Sequence, residues 1–192
     1  WKTYPWQSWV HMLSDKHCMN VQLGNISTSV HGCSYYGPTE GKPYLEDARP
    51  DKESEYQILL GYTGDDNHMP ADLTELSEKG FDYIALGYEH KASVMQSMHM
   101  AYAGSLEPLS VQETGKHGFI LGEINEDSTT IRFVPFACRE YINIKVRLSS
   151  DITEEELEEK LAAAINQYGS DNIFTISLEG RYQPKEPYDR AS

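Results

Sequence analysis

Apolar residues in this chain fall into short runs, and most runs close in a polar loop that contains glycine. Tyr56 to Tyr62 is a continuous apolar run and predicts a buried strand. Pro70 to Gly80 predicts a helix, with proline near its start, Asp72 and Glu75 in its early turns, and Lys79 then Gly80 at its end. Phe81 to Leu86 predicts the next strand, so the three segments form a unit of βαβ size with a parallel pair implied. Upstream, Val21 to Leu23 and Ile26 to Cys33 predict two strands joined through Gly24 and Asn25 as a tight turn. Val10 to Leu13 predicts a short strand, and Tyr35 to Ser54 a loop with one helical turn.

Downstream, Met95 to Tyr102 predicts a bend and a short strand. Gly118 to Ile124 and Thr129 to Pro135 predict a hairpin closed by Asn125 to Ser128. Glu140 to Leu148 alternates Ile142, Ile144, Val146 and Leu148 against Asn143, Lys145 and Arg147, the pattern of a half-exposed strand. A helix capped by Ser150 or Asp151 runs to about Tyr168, with an apolar stripe of Ile152, Leu157, Leu161, Ala164 and Ile165. Its glutamates then form a solvated face. Gly169 ends it, and Asn172 to Leu178 predicts a strand, so 139–182 reads as β-α-β. Gln183 to Ser192 is Pro-rich and charged and reads as a tail or linker.

Charge changes the picture of what the chain can bind. Thirty acidic residues against 16 basic ones give a formal net charge of −14 over 192 residues. A chain this acidic has no bulk attraction to a phosphate backbone, so contact with nucleic acid requires a local basic patch, bound metal ions or a partner. Cys18, Cys33 and Cys138 are far apart and form no CxxC pair, which points away from a zinc knuckle or a disulfide framework and fits a reducing cytoplasm. No apolar run approaches the roughly 18 residues of a membrane span. Trp1, Trp6 and Trp9 cluster at one end with Pro5 and are expected to pack an irregular segment into the core. The opening, Trp-Lys-Thr-Tyr-Pro-Trp, is neither a Met start nor a signal peptide and suggests a fragment of a longer product.

The candidate chemistry sits where strands end. Gly61 to His68 contains Tyr62, Asp65, Asp66 and His68 and could ligate a metal ion or contact phosphate, although it lacks the Gly-Lys-Ser/Thr of a P-loop. Asp65 and Asp66 are adjacent and cannot easily face one ion, so one is expected to be a turn residue. Gly87-Tyr88-Glu89-His90 follows the second strand, and Glu89 and His90 suit manganese, iron or zinc.

Together with their neighbours these residues resemble a known family. Phe81 to Leu86, then Gly87-x-x-His90-Lys91, then Tyr102-Ala-Gly-Ser-Leu-Glu-Pro-Leu109 and Glu113-Thr-Gly-Lys-His-Gly118 look like the calcineurin-like metallophosphoesterases, and within them the SbcD-type DNA repair exonucleases. Val30 to Tyr35 and Val134 to Tyr141 extend the resemblance over nearly the whole chain. It implies an α/β fold of the metallophosphoesterase type, a partial β-sandwich flanked by helices, with a small β-α-β capping domain. The implied division is 1–138, 139–182 and a tail at 183–192. A complete family domain packs two sheets face to face, and this portion supplies mainly one, so its inner face is expected to be apolar.

The implied activity is hydrolysis of DNA phosphodiester bonds at a centre of two manganese ions, with DNA, an ATPase subunit and a second copy as partners. Three family motifs, Asp-x-His, Gly-Asp and Gly-Asn-His-Asp/Glu, do not occur here. Two further motif positions are substituted. Tyr62 and Tyr88 stand where the family has histidines for one ion, and His90 matches the histidine for the other. A phenol with a pKa near 10 ligates poorly unless the metal deprotonates it. His68 and His117 flank the same rim and are expected to be hydrogen-bonding loop residues. The alternatives are a degenerate, non-catalytic binding or structural module of the same fold, and a phosphatase of small phosphoesters.

Overall fold

The computed structural model describes residues 3–14, 17–35, 37, 42–51 and 53–181; Trp1 and the predicted tail lie outside them. The chain divides into two compact units, one of Trp1–Leu106 with His117–Phe136, the other of Glu107–Lys116 with Ala137–Ser192.

The first unit is built on a six-stranded sheet. Its strands are β1 (Met19–Leu23), β2 (Thr28–Gly32), β3 (Tyr56–Tyr62), β4 (Tyr83–Gly87), β5 (Ser93–Met95) and β6 (Met100–Tyr102), in the order β1-β2-β3-β4-β6-β5. The inner strands β2, β3, β4 and β6 run parallel, and β1 and β5 close the two edges antiparallel. Pleating sends alternate side chains to opposite faces. On β3, Gln57, Leu59 and Gly61 are therefore buried while Leu60 is 47% exposed on the other face. On β4, Ile84 and Leu86 are buried. The core gathers Leu45, Leu59, Leu76, Ile84 and Met100 on one side of the sheet. Leu45 packs directly against the bare backbone of Gly61, where a Cβ would lie 2.6 Å from Leu45 Cδ1.

The helix between β3 and β4, α1 (Leu73–Ser77), is shorter than the predicted 70–80 span. Asp72 caps it, its side chain accepting from the Thr74 and Glu75 amides, so Pro70 and Ala71 stay outside. The unit is completed by the antiparallel hairpin β7 (Gly118–Ile124) and β8 (Thr129–Pro135) at the predicted bounds. Asn125 Oδ1 accepts from the Asp127 and Ser128 amides and folds the turn. Gln96 fastens β8, its side chain bonding both Thr129 O (2.7 Å) and Ile131 N (3.0 Å).

The second unit contains β9 (Tyr141–Leu148), α2 (Glu154–Tyr168) and β10 (Ile173–Gly180), with β9 and β10 parallel. The cap of α2 is Thr153 rather than Ser150 or Asp151. Thr153 and Glu156 form a reciprocal capping box, which places Ile152 before the helix and buries it.

Three further expectations are corrected. Val10 to Leu13 forms no strand. Trp9 is 74% exposed and Trp6 only half-buried, because the segment around them lacks the alternation that would press an indole into the core. Gly24–Ile26 is a 3-10 turn followed by Ser27 at φ 48°, not a two-residue turn. Among the described residues no helix is long and apolar enough to cross a membrane.

One carboxylate ties the first three strands. Asp51 accepts from Asn20 Nδ2 on β1 (2.7 Å) and Gln57 Nε2 on β3 (3.1 Å), and lies 3.5 Å from His31 Nε2 on β2. The nearby Ser29 hydroxyl, then the Glu53 amide and the Asn20 and Gln57 side chains, hold its carboxyl well below the usual carboxylate range, against partial burial. A depressed folded pKa contributes stability above the unfolded value, about 3.9, which is lost as pH falls through it toward the folded value. The melting temperature should therefore drop between about pH 5 and pH 2, and Asp51→Asn should lower it at neutral pH and flatten that acid limb. Parallel melting curves for the two proteins across this range would count against the role given to Asp51.

Candidate functional site

The parallel register decides which side chains meet. β2 pairs with β3 through Gly32 opposite Leu60, and β3 with β4 through Tyr62 opposite Gly87. The residues just beyond these pairs therefore share one rim at the carboxyl ends of the strands, where α/β sheets build sites. Tyr35 stacks on Tyr62 with ring centroids 4.5 Å apart. Tyr62 meets Tyr88 edge-on at 5.5 Å, and His68 lies 5.2 Å from Tyr88 and 5.7 Å from Tyr35. Ring pairs of this kind contribute about 0.5–1.5 kcal/mol each beyond area burial, so the four rings stabilise one another.

Asp65 anchors this cluster. Its Oδ1 accepts from the His68 ring (2.5 Å) and the Asn67 amide (2.9 Å), and its Oδ2 from the Tyr88 hydroxyl (3.1 Å). Asp65 is thus both the turn residue of its loop and a fixed acceptor. Tyr88 sits at φ 110°, a strained conformation for a bulky residue that costs on the order of 1–3 kcal/mol. Its ring lies against Gly64, where an added Cβ would fall 2.5 Å from ring atoms. Only glycine fits beneath the ring.

The electrostatics follow from these bonds. The His68 ring, then the Asn67 amide and the Tyr88 hydroxyl, hold the Asp65 carboxyl below its usual range. The bond to Asp65 pushes the Tyr88 phenol up, helped by burial and by the charges of Asp65 and Glu89. Burial, then Tyr35 and Asp65, pushes Tyr62 up as well. Metal ligation by tyrosine needs the phenolate, so both residues are moved away from that role.

His90 lies on the next loop, and both it and Glu89 are exposed. The loop is braced from behind. Ser105 donates to the His90 carbonyl through its amide (2.9 Å) and its hydroxyl (3.3 Å). The His117 Nδ1–H in turn donates to Ser105 O (3.0 Å) and Oγ (2.9 Å). His117 is 4% exposed. Gly104, at φ 76°, lets the two segments approach, since a Cβ there would lie 2.8 Å from His90 O and Ala92 N. The structure brings Tyr62, Tyr88, Asp65 and His68 together, and links His117 to the backbone of His90.

Among the described residues no group of three or more His, Cys, Asp and Glu could hold a metal ion. With Tyr88 donating to Asp65, the donors of this rim do not fit the centre of two ions that the resemblance implies. Tyr35, Gly64 and Ser105 were not singled out from sequence as site residues. The signal for Tyr35 was available, since a residue just past the end of β2 must neighbour the end of β3 in a parallel pair. Gly64 and Ser105 act by shape and by one backbone carbonyl, which composition does not show.

No family model matches the chain. It is 26% identical over 144 residues to an uncharacterized metallophosphoesterase of Bacillus subtilis, YhaO, an alignment covering 69% of this chain and 35% of that protein. The chain therefore spans about a third of that relative's length. The likeness supports the metallophosphoesterase superfamily, and the mixed α/β fold with a central multistranded sheet agrees with it.

Replacing Asp65 by Asn should bring the Tyr88 titration back toward that of an ordinary tyrosine, near 10. The measurement is a tyrosinate absorbance titration, with Tyr88→Phe subtracted to isolate one phenol among 13 tyrosines. A Tyr88 midpoint unmoved by Asp65→Asn would show that the bond does not set it.

Proposed function

We propose that this chain is part of a phosphoester hydrolase that acts on DNA phosphodiester bonds with manganese as its metal, and that it contributes His90 and the aromatic rim beside the reacting phosphate. The observation that carries this reading is the bracing of the His90 loop by Gly104, Ser105 and buried His117. Two Ser105 bonds to the His90 carbonyl, backed by two from His117 to Ser105, fix the backbone that carries the exposed imidazole, which is what positioning at a phosphoryl group requires. The likeness to a metallophosphoesterase supports the reaction class. His90 would hydrogen-bond the reacting phosphate, and the Asp65–His68 pair would orient polar groups beside it. The net charge of −14 opposes DNA, so an ATPase subunit, a second copy or bound cations would supply the attraction.

A second reading, a non-catalytic binding module of the same fold, is favoured by the Tyr88–Asp65 bond, which takes up a phenol that the resemblance matches to a metal ligand. A small-phosphoester phosphatase is the third.

The test is hydrolysis by the purified protein, in manganese and in chelator, of a linear duplex and of p-nitrophenyl phosphate. Manganese-dependent loss of duplex ends, reduced at least tenfold by His90→Ala, is the expected result. Hydrolysis of the small ester alone would shift the reading to a phosphatase. No hydrolysis of either would leave the binding module.

A further inference from the structure

The two cysteines at the other side of the sheet are placed as a pair. The last ladder pair of β1 and β2 is Met19 opposite Gly32. Cys18 and Cys33 are the next residues of the two segments beyond that pair. Residues directly opposite across an antiparallel pair have Cα atoms about 4.5–5.5 Å apart, inside the range a disulfide spans. Both side chains belong to one apolar cluster, Cys33 buried in it and Cys18 packed against it, and each thiol shifts the titration of the other. Cys18 in turn donates to the Tyr44 carbonyl at 3.1 Å. Neither is joined in a disulfide in this structure. They differ in access. Cys33 is buried in the core, whereas Cys18 is partly exposed and lines a cleft of about 280 Å³. The cleft is walled by Asn20, Arg49, Asp47 and the internally bonded Asp51, so it offers the Arg49 cation for a carboxylate and the Asp47 carboxylate for an ammonium group.

We propose that Cys18 and Cys33 form a redox-active dithiol, oxidised through this cleft by a zwitterionic peptide disulfide of the glutathione class. Cys18 is the attacking sulfur and Cys33 the resolving one. In the first step the Cys18 thiolate forms a bond to one sulfur of the small disulfide, whose S–S bond breaks. The departing thiolate takes up a proton. In the second step Cys33 loses its proton and attacks the Cys18 sulfur, and the second small thiolate leaves with that proton. Two protein thiols become one disulfide, and one small disulfide is reduced to two thiols.

The division of roles has an electrostatic basis. The neighbouring Cys33 thiol, with help from Lys79, moves the Cys18 thiol below its ordinary value, against burial and the charge of Asp47. The neighbouring Cys18 sulfur, and burial, push Cys33 up, so it keeps its proton until Cys18 has reacted. The link would fasten the edge strand β1 to β2 and reduce the freedom of the loop between them in the unfolded chain.

The experiment uses the protein with Cys138→Ser, which removes the exposed third cysteine in the other unit. It is equilibrated with glutathione buffers of rising oxidised fraction, quenched in acid, alkylated, and cut after Leu23, between the two cysteines. The expected result is a linked pair of peptides carrying Cys18 and Cys33, lost again on treatment with dithiothreitol. With Cys33→Ser added, the reaction should stop at a mixed disulfide between Cys18 and glutathione. Full alkylation of both thiols in fully oxidised glutathione would overturn the proposal. So would a Cys18 mixed disulfide that persists in the protein retaining Cys33. The peptide map of the Cys138→Ser protein decides the matter even if the second variant fails to fold.

Discussion

Asp65 receives three donors at once: the ring of His68, the amide of Asn67 and the hydroxyl of Tyr88. The hydroxyl bond is the one on which the character of the rim depends. A tyrosine that donates to a carboxylate keeps its proton, and a protonated phenol offers a metal ion almost nothing. Asp65 also fixes the turn that carries His68 against the rings of Tyr35 and Tyr88, so the same residue shapes the loop and sets its electrostatics. The strain at Tyr88 and the missing Cβ of Gly64 show that the backbone accommodates this arrangement at a cost.

The sheet makes these contacts possible. Parallel pairing of β2, β3 and β4 aligns their carboxyl ends, and the core under β3 and β4 holds those ends in register. A slip of one residue would send Leu59 and Ile84 to the wrong face, so burial specifies the register and the register specifies the rim. On the neighbouring loop the same economy recurs: Gly104 permits close approach, Ser105 supplies two donors to one carbonyl, and His117 orients Ser105.

Much of the fold was legible in the sequence because its strands carry strong patterns. β3, β7 and β8 lie at the predicted bounds, and the β-α-β order of the second unit follows from alternation on either side of an amphipathic helix. Helix ends were harder, because capping at Asp72 and Thr153 depends on which of several adjacent polar residues turns its side chain back to the amides. The tryptophan segment misled because aromatic content argues for burial only where neighbouring residues supply a face to bury. For the rim, the family resemblance singled out Tyr62, Tyr88 and His90, and the polar loop after β3 singled out Asp65 and His68. The Tyr88–Asp65 bond between them was not legible, since it joins residues 23 apart whose proximity arises from strand pairing.

The central claim is that hydrogen bonding and ring packing keep Tyr62 and Tyr88 protonated and so unavailable as metal ligands. Manganese titration followed by calorimetry tests it most directly, comparing the purified protein with its Tyr62→His, Tyr88→His double variant. The account predicts at most one strongly bound ion in the unaltered protein and an added or tightened ion in the variant, where two neutral imidazoles replace two protonated phenols. Two tightly bound ions in the unaltered protein would contradict it.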